Sequence, residues 1–257
     1  MIDVQNQADY RNISVDKVGV KDIRYPVTVM DKQNGVQHTV ASINMYVDLP
    51  REFKGTHMSR FIELLNEFHG HLDIREFSNI LKALQEHLHS ESAHIELNFP
   101  YFIRKLSPVT ESAGLMEYRC RIVGSLDSLK GYDLVVEVNV PIMTVCPCSK
   151  EVSDYGAHNQ RGTVRLAVRF KHFIWIEDLI GIVENAASCD VYSVLKRPDE
   201  KYVTEYGYEN PKFVEDVVRD IAYEMKQDSN VTWFLVDVEN FESIHNHSAY
   251  AFIERHK

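Results

Sequence analysis

The sequence has no apolar run of membrane-spanning length, and its first residues lack the basic and apolar segments of a secretory signal. It is also poor in cysteine, with four in 257 residues: Cys120, Cys146, Cys148 and Cys189. That number is too small for a disulfide framework in a chain of this length. We therefore expect a cytoplasmic protein with reduced thiols and no membrane partner.

Basic residues are the second scarcity. Lys and Arg number 28 against 38 Asp and Glu, which gives a formal net charge of −10. Nucleic-acid binding needs a basic face, so we expect no nucleic-acid partner. A local basic cluster can still hold one small anionic ligand. The apolar fraction of 44% is that of an ordinary globular protein, and the length allows one large domain or two modest ones.

The hydrophobic pattern of the first half changes period twice. Alternation predicts strands over Ile23–Met30 and Ala41–Val47, and Asn34-Gly35 between them predicts a two-residue type I′ hairpin turn. Apolar residues at helical spacing then predict two helices over residues 58–68 and 77–88. Two further alternating segments follow, so the order is strand, strand, helix, helix, strand, strand.

The second half repeats this order. Strands are predicted near residues 134–140 and 164–170, and a helix near 174–186. Asn210-Pro211 predicts the start of a second helix, because Asn caps helices and Pro suits their first turn. Two closing strands end the pattern.

The sequence therefore predicts an α+β fold of two tandem ββααββ modules with antiparallel sheets, each carrying a helix pair on one face. We assign residues 1–20 to an N-terminal arm, 21–130 to the first module and 131–257 to the second. The uncovered sheet faces predict tandem packing, oligomerisation, or both.

Long polar insertions distinguish the second module, and they span residues 144–162, 188–201 and 240–247. Such loops on a rigid scaffold commonly carry function. Cys146 and Cys148 flank a proline that stiffens their turn; they are either ordinary loop thiols or, as thiolate, a metal ligand. His158, Glu242 and His245 are either solvated loop residues or members of a site, where imidazole serves as a ligand or an acid–base group.

Three segments carry a family resemblance: Val145-Cys146-Pro147-Cys148-Ser149-Lys150-Glu151 through His158-Asn159-Gln160-Arg161-Gly162, then Lys196-Arg197-Pro198-Asp199-Glu200, then Glu242-Ser243-Ile244-His245-Asn246-His247. Together they resemble the type IB GTP cyclohydrolases of bacterial folate synthesis. The resemblance covers nearly the whole chain beyond the first 20 residues. It implies the tunnelling fold, in which ββααββ modules assemble into barrels, and a homotetramer with active sites at subunit interfaces. It also implies conversion of GTP and water to 7,8-dihydroneopterin triphosphate and formate.

The resemblance also implies residue roles. It makes Cys146 a metal ligand and acid–base participant, and it places His158 beside the metal as a catalytic residue. It also implies that Glu215 anchors guanine, because the carboxylate can accept from the two adjacent donors of the base, its N1–H and its amino group. A carboxylate near a helix N-terminus can also have a purely structural role, in which it interacts favourably with the helix dipole. The remaining implied metal ligands are Glu200, Glu242 and His245.

One divalent metal per site is implied, and Cys, His and Glu donors are compatible with zinc, manganese or iron. The triphosphate needs basic partners, for which Lys150, Arg161 and Lys196 are the first candidates and Arg197 and Lys201 further ones. Each of these is otherwise a solvated surface charge.

Two alternatives remain open at this point. The first is an NADPH-dependent deazaguanine nitrile reductase of the same fold, which would use a nucleophilic cysteine. The second is a purine-binding module without catalytic activity, which would have no need of a metal ion.

Overall fold

The computed structural model describes residues 5, 7, 9–68 and 73–257; residues 1–4, 6 and 8 of the predicted arm lie outside the described part. The strands are β1 (Val15–Asp31), β2 (Gly35–Leu49), β3 (Ser92–Leu106), β4 (Ala113–Asp127), β5 (Gly131–Val145), β6 (Asn159–Phe170), β7 (Val231–Phe241) and β8 (Ser248–His256). The α-helices are α1 (Met58–Glu67), α2 (Phe77–Leu88), α3 (Pro147–Val152), α4 (Ile176–Ala186), α5 (Arg197–Glu209) and α6 (Val214–Gln227). Within the described residues, no helix is long and apolar enough to span a bilayer.

The strands follow one another in a sheet of eight, in the order β1 to β8. Neighbours pair antiparallel from β1 to β3 and from β5 to β8. This confirms an α+β fold with the predicted strand–helix–strand order in each half, to which the second half adds α3 and α5. By its contacts the chain divides into two compact units: Met1–Pro100 with Arg121–Val135, and Tyr101–Cys120 with Val136–Lys257.

In the first unit, one stripe of each helix is buried. Residues at helical spacing on α1 and α2 become the core because an amphipathic helix gains stability by turning its apolar stripe away from water. Gly124 of β4 marks how closely α2 approaches, since a Cβ there would lie 2.4 Å from the Phe77 ring. The buried residues of the two helices are Phe61, Leu64, Leu65, Phe77, Ile80, Leu81, Leu84 and Leu88.

The β1–β2 hairpin differs from its prediction. Asp31 pairs with Gly35, which leaves three residues in the turn, and Gly35 alone of the predicted pair has positive φ, at 81°. The two-residue type I′ prediction was therefore wrong. The cause is the Asp31 carboxylate, which accepts hydrogen bonds from the backbone N–H groups of Gln33 and Asn34 at 2.9 and 2.6 Å and so closes a wider turn.

In the second unit, β5 to β8 form successive antiparallel pairs, and α4 and α6 bury their apolar stripes. The alternation of β6 and β7 buries Val164, Leu166, Val168, Phe234, Val236 and Val238. The predicted helix near 174–186 is confirmed as α4.

The predicted helix start at Asn210-Pro211 was wrong, because α6 begins at Val214. Asn210 instead ends α5, where its backbone N–H donates to the carbonyl oxygens of Tyr206 and Gly207. The α5 helix lies partly in a segment that the sequence had assigned to a polar loop. Helix α6 is capped by Asp216, whose carboxylate accepts from the Phe213 N–H at 3.0 Å.

Candidate active site

The first polar insertion lies between β5 and β6 and is organised around Cys146. This residue has extended backbone and caps α3, which starts at once because Pro147 suits the first helical position. Its Sγ accepts a hydrogen bond from the Ser149 N–H at 3.4 Å. The half-buried sulfur is thus fixed at the first turn of α3, while Cys148 is exposed.

The backbone of the same loop holds His158 next to Cys146. The Cys146 N–H donates to the His158 carbonyl oxygen at 3.1 Å, and the His158 N–H donates to Ser149 Oγ at 3.1 Å. Ser149 Oγ in turn donates to the Cys146 carbonyl oxygen at 3.1 Å. The two residues predicted to be catalytic therefore lie at the two ends of one loop that is closed by hydrogen bonds.

The His158 imidazole points toward two further side chains. Its Nδ1 lies 3.0 Å from Gln160 Oε1 and 3.4 Å from Ser243 Oγ. Ser243 belongs to the β7–β8 connection, so this connection approaches the Cys146–His158 loop. Glu242 in the same connection is half-buried and His245 is exposed, with its ring stacked on His247 at a centroid distance of 5.1 Å.

Helix α5 presents two of the predicted site residues, Lys196 and Glu200, at its exposed first turn. Its geometry is set by Asp199, a residue that the sequence reasoning missed. The buried Asp199 carboxylate accepts from the Lys196 N–H at 2.8 Å, from the Val109 and Thr110 N–H groups at 2.9 and 2.8 Å, and from Thr110 Oγ1 at 2.6 Å. The Pro198-Asp199 pair was the sequence signal that could have revealed this cap.

These hydrogen bonds also decide the charge state of Asp199. Burial alone would raise the pKa of its carboxyl, but the hydrogen bonds from Thr110, Lys196 and Val109 outweigh burial and hold the pKa well below its ordinary value. Asp199 is therefore an anion that fixes the start of α5.

The other predicted binding residues occupy different surroundings. Glu215 is exposed on the first turn of α6. Lys150 Nζ donates to the Tyr208 carbonyl oxygen at 2.6 Å and lies 4.4 Å from the centroid of the Tyr208 ring. Arg161 is exposed on β6 opposite Met143, whereas Lys201 is paired with Glu205 at 2.9 Å.

The predicted metal ligands combine a thiolate, an imidazole and two carboxylates, donors that suit a transition metal. The described part of the chain contains no group of three or more His, Cys, Asp or Glu side chains close enough together to hold a metal ion. A single chain in this conformation therefore brings Cys146 and His158 together but does not gather Cys146, Glu200, Glu242 and His245 into one ligand set.

Comparison with solved structures defines the class of fold. A uricase from Bacillus fastidious aligns over 94% of this chain and 94% of its own, with a TM-score of 0.57 and 8% identity. The urate oxidase of Bacillus sp. TB-90 aligns over 95% of this chain and 100% of its own, with a TM-score of 0.54 and 8% identity. The chain therefore has the tunnelling fold that these proteins share.

The family model described as type I GTP cyclohydrolase FolE2 matches residues 1–251. The GTP cyclohydrolase FolE2 of Syntrophobacter fumaroxidans is 78% identical over 257 residues, which cover 100% of both chains. That of Desulfosudis oleivorans is 60% identical over 253 residues, covering 98% of this chain and 97% of the relative. The chain belongs to the type I GTP cyclohydrolase FolE2 family, as its three motifs predicted.

Proposed function

We propose that this chain is a GTP cyclohydrolase, which converts GTP and water to 7,8-dihydroneopterin triphosphate and formate as the first step of tetrahydrofolate biosynthesis. The observation that carries the proposal is the hydrogen-bonded loop joining Cys146 to His158, in a chain whose full length matches the FolE2 family. The family match also favours this reaction over the nitrile reduction that remained open from sequence. Four free thiols are in keeping with action in the cytoplasm.

The reaction hydrolyses the imidazole ring of guanine at C8, so protons must move on and off ring nitrogens and water. A neutral imidazole exchanges protons efficiently near pH 7. His158 is suited to this task because its backbone is anchored at both the N–H and the carbonyl, which keeps the ring close to Cys146. We assign it the role of general acid–base.

A divalent metal, whether zinc, manganese or iron, would be held by Cys146, Glu200, Glu242 and His245. When bound, such an ion lowers the pKa of a coordinated water and so supplies hydroxide at neutral pH. Cys146 is the central ligand of this assignment, because its sulfur is already oriented by α3.

Substrate binding divides between the two ends of GTP. Glu215 would accept the N1–H and amino group of guanine, and its exposed position on α6 leaves the carboxylate available. Lys150, Arg161 and Lys196 would bind the triphosphate. Lys150 contacts the carbonyl oxygen and the aromatic ring of Tyr208, and neither group neutralises its charge.

Assembly completes the proposal. We expect a homotetramer in which barrels form between chains and the active sites lie at subunit interfaces. Strand β8 supports association, because it is last in the sheet order and exposes Tyr250 and Phe252 by 59% and 45%. Light scattering coupled to size exclusion should give four chains; a monomer at micromolar concentration would contradict this.

Replacement of Cys146 by Ala tests the site. We expect this variant to lose GTP turnover and bound metal while its circular dichroism and melting temperature stay close to those of the parent, since Cys146 contributes one weak sulfur hydrogen bond to the fold. Cys120→Ala is the matched control, since it also removes a thiol, but from the buried face of β4, and it should keep turnover. A fully active Cys146→Ala variant would remove the basis of the site assignment.

A further inference from the structure

A buried hydrogen-bond network lies directly behind His158. Gln160 Oε1 lies 3.0 Å from His158 Nδ1, and Gln160 Nε2 donates to Thr144 Oγ1 at 2.8 Å. The Asn240 Nδ2 also donates to Thr144 Oγ1 at 2.8 Å. Thr144, Gln160 and Asn240 are 0%, 6% and 2% exposed, so water does not compete for these bonds.

The direction of the bond between His158 and Gln160 follows from this network. A hydroxyl oxygen offers two lone pairs, and those of Thr144 are both used by amide N–H donors. In the structure Gln160 directs its NH₂ group to Thr144 and its oxygen to His158. An amide oxygen accepts hydrogen bonds only, so His158 Nδ1 must carry the proton.

Strand pairing keeps the network in place. Thr144 of β5 is the cross-strand partner of Gln160 of β6, and Asn240 of β7 is the partner of Gly162 two residues further along β6. A side chain at position 162 would collide with Asn240, since a Cβ there would lie 2.3 Å from Asn240 Oδ1. Three adjacent strands thus fix the amide of Gln160, and Ser243 adds only the longer 3.4 Å contact to His158.

We propose that Gln160 is a positioning residue that holds His158 as its Nδ1–H tautomer, so that Nε2 is the nitrogen that accepts or returns a proton during GTP hydrolysis. The catalytic part of this inference rests on the proposed function, whereas the tautomer is a property of the folded chain. A base anchored in the wrong tautomer presents a proton where the reaction needs a lone pair.

The tautomer can be measured without turnover. In the full-length chain labelled with ¹⁵N-histidine and freed of metal by chelation, the neutral His158 ring should give the nitrogen shifts of the Nδ1–H form. The spectrum of His158→Asn identifies its signals among the 12 histidines. Gln160→Leu should shift them toward the Nε2–H form. An Nε2–H ring in the parent chain would mean that Gln160 faces the other way and would overturn the proposal.

Kinetics test whether the tautomer matters. For Gln160→Leu we expect kcat for GTP to fall about 10- to 100-fold with KM nearly unchanged, as is typical when the partner of an active-site histidine is removed. In a His158→Asn background the same change should have little further effect, because Gln160 acts through His158. An equal loss in both backgrounds would assign Gln160 a purely structural role.

Ser188→Ala supplies the matched control. Ser188 is fully buried and its Oγ accepts from the Val145 N–H at 3.0 Å, so the variant loses a buried hydrogen bond on β5 without touching His158. It should lower the melting temperature about as much as Gln160→Leu yet leave the His158 tautomer unchanged. A tautomer shift in Ser188→Ala would show that general loosening, and not Gln160, sets the ring. If the parent makes no pterin while its His158 is Nδ1–H, the proposed function fails and the positioning contact stands.

Discussion

Replacing Lys105 by Met should destabilise the second unit strongly. Lys105 Nζ lies 2.7 Å from Glu184 Oε1 and 2.8 Å from Asp190 Oδ2, and the side chains of Lys105 and Glu184 are only 13% and 15% exposed. Methionine keeps most of the length of the lysine side chain but carries no charge, so it leaves two acidic groups without their cation. Breaking a buried ion pair in this way costs about 3 to 5 kcal/mol. Asp190 is 32% exposed and can regain water, so we take the lower end, about 3 kcal/mol.

Urea denaturation followed by tryptophan fluorescence measures this loss in the correct part of the chain. Both tryptophans, Trp175 and Trp233, belong to the second unit. With a denaturant dependence of about 1 to 3 kcal/mol per molar urea, the midpoint should fall by about 1 to 3 M.

The matched control is Lys201→Met, which breaks an exposed ion pair with Glu205 one helical turn away. The side chains of Lys201 and Glu205 are 72% and 59% exposed, so the loss in free energy of unfolding should be no more than about 0.5 kcal/mol. If Lys105→Met costs no more than this control, the reasoning about the buried cluster is refuted. Glu184→Gln added to Lys105→Met should recover part of the loss, because it removes one of the stranded charges while leaving an acceptor for Tyr118, whose hydroxyl donates to Glu184 Oε1 at 2.7 Å.

Three further outcomes are expected. Gly162→Ala should lower the free energy of unfolding by about 1 to 3 kcal/mol, because its Cβ would lie 2.8 Å from a backbone oxygen of β7. Gly181→Ala lies in helix α4 with nothing within 4 Å of the new Cβ, so it should instead raise the free energy of unfolding by about 0.5 to 1 kcal/mol. If urea denaturation gave the two variants equal effects, the close packing described at Gly162 would be contradicted. Iodoacetamide at pH 8 should alkylate the exposed Cys148 and spare Cys189, because burial raises the pKa of the Cys189 thiol to about 11; equal labelling by mass spectrometry would be inconsistent with this. Asp199→Asn should lower the melting temperature at pH 7. The folded-state pKa of the Asp199 carboxyl is depressed, so the stability that this group contributes is complete above its unfolded pKa of about 3.9 and is lost as the pH falls. The difference in melting temperature between Asp199→Asn and the parent should therefore narrow below about pH 4. A difference that stays constant with pH would argue against an ionised Asp199.

The sequence predicted the elements whose apolar residues recur at a regular period. Helices α1, α2 and α4 and the paired strands of both halves were found in this way, because each buries one periodic face. Helix α5 could not be found by that signal, since only Asp199 and Gly207 are buried along its 13 residues. Its stability comes from the cap at Asp199, which binds the nearby Lys196 N–H and also Val109 and Thr110, about 90 residues away in the chain.

Turns and helix ends were the other source of error. Asn34-Gly35 has the composition of a two-residue turn, but the Asp31 side chain closes a wider one. Asn210-Pro211 has the composition of a helix start, yet Asn210 ends the preceding helix. In both cases a local preference was outweighed by a pair of specific hydrogen bonds that composition does not encode.

For the site, the motifs identified Cys146 and His158, and the structure brings them together. Gln160 stood inside the same motif without an assigned task, because its partners Thr144 and Asn240 become neighbours only once three strands pair. The predicted metal ligands illustrate a different limit: residue type fits a metal, but a convergence of loops is a property of the folded state that spacing in the sequence does not determine.

The most direct test of the proposed function is incubation of the purified chain with GTP and zinc, manganese or iron, before and after chelation, with formate and an oxidisable fluorescent pterin followed together. We expect both products in equal amounts, with turnover lost on chelation and restored by added metal. Absence of both products with all three metals would contradict the assignment, and NADPH-dependent reduction of a deazaguanine nitrile would then be the activity to measure.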